Sequence, residues 1–247
     1  MKKKLQMAVY RVVKALVRLF YPKIEAVGAE NLPDESALIV GNHCQMNGPI
    51  VCELYFPKDR VTWCAGEMMH LKEVPAYAYQ DFWSGKRWYC RWFFKLASYL
   101  IAPLSVCVFN SAQTIGVFHD SRVISTFKAT VRTLAAGQSV VIFPEHDEPH
   151  NHIIRDFQDK FIDIAKLYYK RTGKAVAFVP MYIAPKLKKM YFGKPITFCP
   201  ENSIEEERRR ICEYLMEEIT SMAVSLPRHT VVPYKNIPGE KYPTNIP

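Results

Sequence analysis

A histidine, a glutamate and an arginine each stand near the end of an apolar run or a predicted strand, where side chains can act together. His43 follows the run Ala37-Leu38-Ile39-Val40, so it lies at the end of a predicted buried strand as a candidate general base. At two other strand ends, Arg122 could bind a phosphate and Glu145 could hold a polyol hydroxyl. These residue types suit a site that removes a proton and holds a phosphate-bearing polyol.

The pattern of strands and helices predicts how these residues are positioned. Strands are predicted at 37–41, 61–64, 105–109, 139–143, 176–182 and 190–198, and helices at 3–21, 50–56, 90–103, 122–136, 157–171 and 204–225. The alternation predicts an α/β fold with a mainly parallel mixed sheet flanked by helices. Ligands of such sheets bind at the carboxyl ends of the strands, near which His43, Glu145 and the segment 116–122 fall.

The composition indicates a folded chain with one basic end. Hydrophobic residues make up 49% of the 247, which suffices for a full core and excludes global disorder. The seven cysteines are scattered without a CxxC pair, as is typical of reduced thiols in the cytoplasm, and no secretory signal is recognisable. We expect a membrane-association helix at 1–24, an α/β domain at 25–226 and a Pro-rich extended tail at 227–247.

The first segment has the pattern of a helix that lies on a membrane. It contains seven basic residues and no acidic residue, whereas charges nearly balance in the rest of the chain. One side of the helix carries Leu5, Val9, Val12, Leu16 and Phe20, and the other carries Lys4, Arg11, Lys14 and Arg18. Basic amphipathic helices lie in the headgroup region of anionic bilayers. The alternative is a helix that packs on its own domain with a solvated basic face.

A second candidate surface is the stretch 82–104, which interleaves aromatic residues with cations that include Lys86. This composition suits a membrane interface, an acyl-chain pocket or an aromatic-rich core helix. Aromatic and basic residues can also bind single-stranded nucleic acid. The chain has no RNA-binding fingerprint, so we expect no nucleic-acid partner.

Four short blocks follow one another in the chain: Asn42-His43; Gly116 with Arg122 six residues later; Phe143-Pro144-Glu145; and Val179-Pro180. Their order and spacing resemble the glycerophospholipid acyltransferase family, typified by the 1-acylglycerol-3-phosphate acyltransferases. In that family the blocks are Asn-His followed by four residues and Asp, Gly with Arg six residues later, Phe-Pro-Glu-Gly, and an apolar run with Val-Pro. The resemblance covers about residues 36–200.

The resemblance implies an acyltransferase that moves a fatty acyl group from a thioester to a lysophospholipid or glycerol-phosphate-like hydroxyl at the membrane surface. His43 would deprotonate the hydroxyl, and Gly116, Arg122, Pro144 and Glu145 would bind the acceptor, with Arg122 on its phosphate. No resident cofactor or metal is implied; acyl-CoA or acyl carrier protein would supply the acyl group. The protein would be cytoplasmic, peripheral on the inner face of the membrane, and active in phospholipid biosynthesis.

One departure from the family pattern concerns the base. The family's Asp should stand five residues after His43, where this chain has Gly48. Without a carboxylate the imidazole loses its orienter, which in a Ser-His-Asp triad costs about 10⁴ in turnover. Asn47 could orient the ring through its amide oxygen, or Asp120 or Asp81 could reach in, or Asn47-Gly48-Pro49 is simply a turn. A non-catalytic lipid- or phosphate-binding relative is therefore the alternative function.

The other departure is the run 145–152, where Glu145 is followed by His146-Asp147 instead of Gly-Thr. Histidine and carboxylate residues this close together could bind a divalent metal, whose hydroxide could replace an oriented histidine. The alternative is a polar, solvent-exposed loop without a catalytic role.

Overall fold

The computed structural model describes residues 2–85 and 87–246, so Met1, Lys86 in the aromatic stretch and Pro247 in the tail lie outside the described residues. The chain forms two compact units. The first comprises Met1–Pro22 and Trp63–Thr126, and the second comprises Lys23–Thr62 and Phe127–Pro247.

Helices and strands alternate along the chain. The helices are α1 (Lys2–Phe20), α2 (Asn47–Tyr55), α3 (Val74–Ala78), α4 (Arg91–Ser111), α5 (Val123–Ala135), α6 (Asp163–Thr172) and α7 (Ile204–Ser225). The strands are β1 (Glu25–Val27), β2 (Ala37–Gly41), β3 (Arg60–Ala65), β4 (Thr114–Val117), β5 (Ser139–Ile142), β6 (Glu145–Pro149), β7 (Arg155–Phe157), β8 (Ala177–Ala184), β9 (Lys189–Phe192) and β10 (Ile196–Thr197). The predicted α/β class with a mainly parallel sheet is confirmed.

The core of the second unit is a sheet with β2 at its centre. Its strand order is β1-β9-β8-β2-β5-β3, and β10 pairs with β8. The strand β2 is buried throughout and runs parallel to both β5 and β8. The strand β8 pairs antiparallel with β9 and with β10. Because β2 and β5 are parallel neighbours, the residues that follow them emerge side by side.

The first unit is mainly helical. Helix α1 packs against α4, and α4 also packs against α3. Buried side chains between these elements form a small core of Met68, Val74, Ala78 and Ala102. The end of β3 lies beside β4, which leads to the segment that contains Arg122.

The strand predicted at 105–109 is wrong, because α4 continues as a helix to Ser111, with Pro103 inside it. A short apolar run fits a strand and a helix equally well, and here the run continues the helix that precedes it. The strand that precedes Arg122 is instead β4, which was not predicted. Trp88–Ser111 is long and apolar enough to cross a membrane by length and composition, and little of it is buried.

Candidate active site

The site is built on the residues that follow β2. Asn42 is buried, and its side chain accepts a hydrogen bond from the Ile183 backbone N–H at 2.7 Å and donates to the Ile183 carbonyl at 3.1 Å. The side-chain amide therefore adds one more pair of hydrogen bonds between the end of β2 and β8. This explains why the first block contains an asparagine before its histidine: Asn42 fixes the backbone from which His43 projects.

After His43 the chain reverses through a strained turn. Cys44 and Gln45 adopt left-handed conformations with φ of 49° and 56°. Such conformations are unfavourable for side-chain-bearing residues and occur preferentially at functional sites. The turn is closed by hydrogen bonds from the Gly48 N–H to the His43 carbonyl and from the Asn47 N–H to the Cys44 carbonyl, each 3.0 Å long.

Glu145 holds the backbone of His43 from the neighbouring strand end. The Glu145 carboxylate accepts the His43 N–H at 2.6 Å and the Arg155 N–H at 2.9 Å. Its side chain is buried, and burial raises the pKa of Glu145 to about 7 against the hydrogen bonds that lower it. Because both oxygens already accept backbone hydrogens, this geometry favours a positioning role over the expected contact with a glycerol hydroxyl.

The imidazole of His43 lies among aromatic rings. The ring of Phe143 is 5.3 Å away and that of Tyr234 is 5.7 Å away, both edge to face. Burial lowers the pKa of His43, although the Gln45 backbone opposes this shift. A lowered pKa keeps the imidazole neutral near pH 7, which is the form that a general base requires.

The Nδ1 atom of His43 is buried and has no hydrogen-bond partner in residues 2–85 and 87–246. The expected bond from Nδ1 to the Asn47 amide oxygen is therefore not formed. The Asn47 side chain instead donates to the Cys44 carbonyl at 3.0 Å and supports the turn. Position 48 has no room for a side chain, since a Cβ there would lie 2.5 Å from the His43 carbonyl oxygen and 2.9 Å from the Phe143 ring.

Two further block residues belong to the same unit. Pro144 is buried, and its carbonyl accepts the Gln158 N–H at 3.0 Å. Pro180 of the fourth block lies in β8 opposite Val40 of β2. The second unit thus brings together His43, Asn47, Pro144 and Glu145 from the predicted site.

The second block lies in the first unit. Gly116 in β4 packs tightly, because a Cβ there would lie 3.0 Å from the Met69 sulfur and 3.1 Å from Gly66 Cα. Arg122 stands over the Phe118 ring, with its guanidinium carbon 4.0 Å from the ring centroid. Gly116 therefore serves close packing, and Phe118 supports the side chain that would meet a phosphate.

The guanidinium of Arg122 is shared between two carboxylates. It donates to Glu73 at 3.0 and 3.1 Å and to Asp120 at 2.9 and 3.1 Å. These bonds raise the pKa of Arg122 and lower that of Asp120. A phosphate at Arg122 would therefore compete with these two carboxylates. The ion pair with Arg122 also occupies Asp120, which was one of the carboxylates considered as an orienter of His43.

The first part of the run 145–152 forms one strand of a β-ribbon. Glu145–Pro149 pairs antiparallel with Arg155–Phe157. His146 Nε2 lies 3.6 Å from Asp156 across the ribbon. Within the described part of the chain, no group of three or more His, Cys, Asp or Glu side chains is arranged to hold a metal ion.

Comparison with known proteins finds similar chains among the solved structures. No family model and no curated protein sequence matches the chain. The crystal structure of the 1-acyl-sn-glycerophosphate (LPA) acyltransferase PlsC from Thermotoga maritima is similar, with a TM-score of 0.45 and 16% sequence identity over 89% of this chain and 79% of that one.

Proposed function

We propose that the chain is an acyltransferase, which moves a fatty acyl group from a thioester to a hydroxyl of a lysophospholipid or glycerol-phosphate-like acceptor. The observation that carries the proposal is the hydrogen bond between His43 and Glu145. It joins the first and third blocks, which stand 102 residues apart in the chain, at the ends of neighbouring parallel strands. The blocks were recognised by sequence pattern alone, so their meeting around a half-buried histidine supports one common site.

In this proposal His43 removes the proton from the acceptor hydroxyl. The hydroxyl oxygen then attacks the thioester carbonyl carbon, a C–O bond forms, the C–S bond breaks, and the thiolate leaves and takes up the proton. General-base help of this kind contributes about 10²–10⁴-fold. Glu145 holds the His43 backbone, and Arg122 binds the acceptor phosphate by exchanging carboxylate partners for phosphate oxygens.

The assay is transfer of a labelled acyl group to lysophosphatidate or glycerol phosphate, with acyl-CoA and acyl carrier protein compared as donors. The proposal expects a labelled lipid product from at least one donor. Absence of product with every donor and acceptor, from protein that is folded, would contradict it.

A second candidate is a non-catalytic binder of lysolipids or phosphates. It is favoured by the His43 Nδ1, which has no hydrogen-bond partner among the described residues, and by the lack of space for a carboxylate at Gly48. If the chain is such a binder, calorimetry should detect binding of lysophosphatidate while no acyl group is transferred. Turnover that depends on His43 would exclude it.

We also propose that the protein works on a membrane surface. Helix α1 packs on α4 within the first unit, and large apolar side chains of both helices remain exposed: Leu5, Val12, Leu16, Leu19 and Phe20 on α1, and Trp92, Phe93, Leu96, Tyr99, Leu100 and Leu104 on α4. Exposed apolar surface of this extent is unusual for a soluble monomer. The cations of α1 would attract anionic lipid, with about 1 kcal/mol for each one near the surface.

The membrane proposal is tested by sedimentation with vesicles of anionic or zwitterionic lipid. Replacing Leu16 and Phe20 together by serine should weaken binding about 10²–10⁴-fold, since burying each side chain contributes about 1.5–3 kcal/mol and every 1.4 kcal/mol is tenfold. Leu167→Ser is the matched control, because Leu167 is an exposed leucine on α6. Equal binding of the natural chain and the double variant would contradict the proposal.

A further inference from the structure

The last segment of the chain forms a closed loop. The Val231 N–H donates to the Pro243 carbonyl at 2.9 Å, and the Asn245 N–H donates to the His229 carbonyl at 3.1 Å. These bonds bring together the two ends of residues 233–242, which we call the C-terminal loop. Compact loops with adjacent ends are frequently functional.

Buried residues at both ends fix the base of the C-terminal loop. Asn245 is fully buried, accepts the His229 N–H at 2.8 Å, and donates to the Ala223 carbonyl at the end of α7 at 2.8 Å. His229 is also buried and lies 2.8 Å from the hydroxyl of Tyr182 in β8. The loop is therefore attached to the same unit that contains His43.

The C-terminal loop contacts the turn that follows His43. The Gln45 side-chain amide donates to the Lys235 carbonyl at 3.0 Å and to the Tyr242 hydroxyl at 2.9 Å. Since Gln45 is one of the two left-handed residues of that turn, the loop holds the turn at its strained point. Lys235 also pairs with Asp147 of the β-ribbon at 3.2 Å.

The same loop places an aromatic ring against the imidazole. Tyr234 lies edge to face with His43, with an interplanar angle of 84°, and Phe143 makes a similar contact of 73°. The ring of His43 is therefore confined by an aromatic side chain from the end of β5 and by another from the C-terminal loop. Edge-to-face aromatic pairs favour defined orientations.

We propose that Tyr234 is a positioning residue, which together with Phe143 holds the His43 imidazole in a single orientation in a chain that has no carboxylate at position 48. The proposal rests on the proposed function of His43 as a general base. In this arrangement the C-terminal loop is a part of the active site, and aromatic confinement orients a ring whose Nδ1 has no hydrogen-bond partner in the described residues. Positioning of the imidazole by aromatic rings affects the turnover number and leaves substrate affinity unchanged.

The test is Tyr234→Ala, compared with Tyr169→Ala as a matched control, because Tyr169 is an exposed tyrosine on α6. The first readout is the pKa of the His43 imidazole from NMR titration, with the signal assigned by its loss in His43→Ala. Since burial lowers this pKa, removing the ring should move it up towards its ordinary value of about 6.5. Glu145 is the titrating group that contacts the His43 backbone, so the titration is repeated in Glu145→Gln.

The second readout is steady-state kinetics. Tyr234→Ala should lower kcat by up to about tenfold, which is the scale of a lost aromatic pair, with KM for donor and acceptor unchanged. Tyr234→Phe keeps the ring and should recover most of the loss. An unchanged imidazole pKa together with an unchanged kcat would overturn the proposal, and so would an effect on KM alone.

Two features keep the test decisive. If Tyr234→Ala does not fold, Tyr242→Phe removes the hydroxyl that bonds to Gln45 and should shift the His43 pKa in the same direction by a smaller amount; no shift would overturn the proposal. The NMR readout needs no turnover. An inactive natural chain would therefore count against the acyltransferase function, while the titration would still decide the role of the C-terminal loop.

Discussion

Replacing Gly48 with aspartate should destabilise the chain and should not raise its turnover, although it restores the family's residue. A Cβ at position 48 would lie 2.5 Å from the His43 carbonyl oxygen and 2.9 Å from the Phe143 ring. The first of these contacts is with backbone, which cannot move aside as a flexible side chain can. The same carbonyl accepts the Gly48 N–H at 3.0 Å, so relief of the clash stretches this bond and displaces His43.

The expected cost follows from three contributions. Overpacking a filled site costs about 1–3 kcal/mol, and a weakened hydrogen bond costs about 0.5–1.5 kcal/mol. Replacing a glycine inside a helix stabilises the helix by up to about 1 kcal/mol, which offsets part of this loss. The net loss is about 0.5–4.5 kcal/mol, which lowers Tm by roughly 1–18 °C in a chain of this length.

The assay is thermal unfolding of Gly48→Asp and Gly48→Ala, followed by acyl transfer. Both variants should lose stability, because both carry the Cβ. Gly85→Ala is the control, since a Cβ at Gly85 meets nothing within 4 Å. Gly48→Ala with an unchanged Tm would refute the steric argument. Turnover that appears only in Gly48→Asp would refute the account of His43 and would identify the natural chain as the binding relative.

Two further predictions concern the charged groups. Burial raises the pKa of Glu145 to about 7 from an ordinary value of 4.5, so the stability it contributes is present below pH 4.5 and is lost as the pH rises through 7. The difference in free energy of unfolding between the natural chain and Glu145→Gln should therefore shrink by about 3 kcal/mol from pH 4.5 to pH 8, and a difference independent of pH would contradict this. Asp120→Asn removes a carboxylate that competes for Arg122, so KM for a phosphate-bearing acceptor should fall by up to about fivefold. Asp34→Asn, which removes another exposed ion pair, should leave KM unchanged; an equal fall in both would contradict a phosphate role for Arg122.

Local patterns in the sequence were sufficient for the elements with strong periodicity. Helix α7 begins and ends where it was predicted. Its start was predictable because Ser203 and Glu206 form a capping box there. The buried strand β2 was likewise recognised from its continuous apolar run. The short strand β4 was missed, since its four residues carry little pattern and the neighbouring apolar run in α4 suggested a strand instead.

The candidate site was predictable in part. The positions of His43 and Glu145 at neighbouring strand ends follow from the parallel topology. The contact of Tyr234 with His43 joins residues far apart in the chain, and no local pattern indicates it. Whether position 48 can hold a side chain depends on the placement of the Phe143 ring and the His43 carbonyl, which only tertiary packing determines. The two carboxylates on Arg122 come from separate segments for the same reason.

The role of His43 as the base is tested by thiol release from an acyl thioester in the presence of lysophosphatidate vesicles, measured for the natural chain, His43→Ala and His150→Ala. His150 is the matched control because it is an exposed histidine of the run 145–152. Release should need the acceptor, vanish in His43→Ala and persist in His150→Ala. Equal release from the natural chain and His43→Ala would contradict the assignment of His43 as the base.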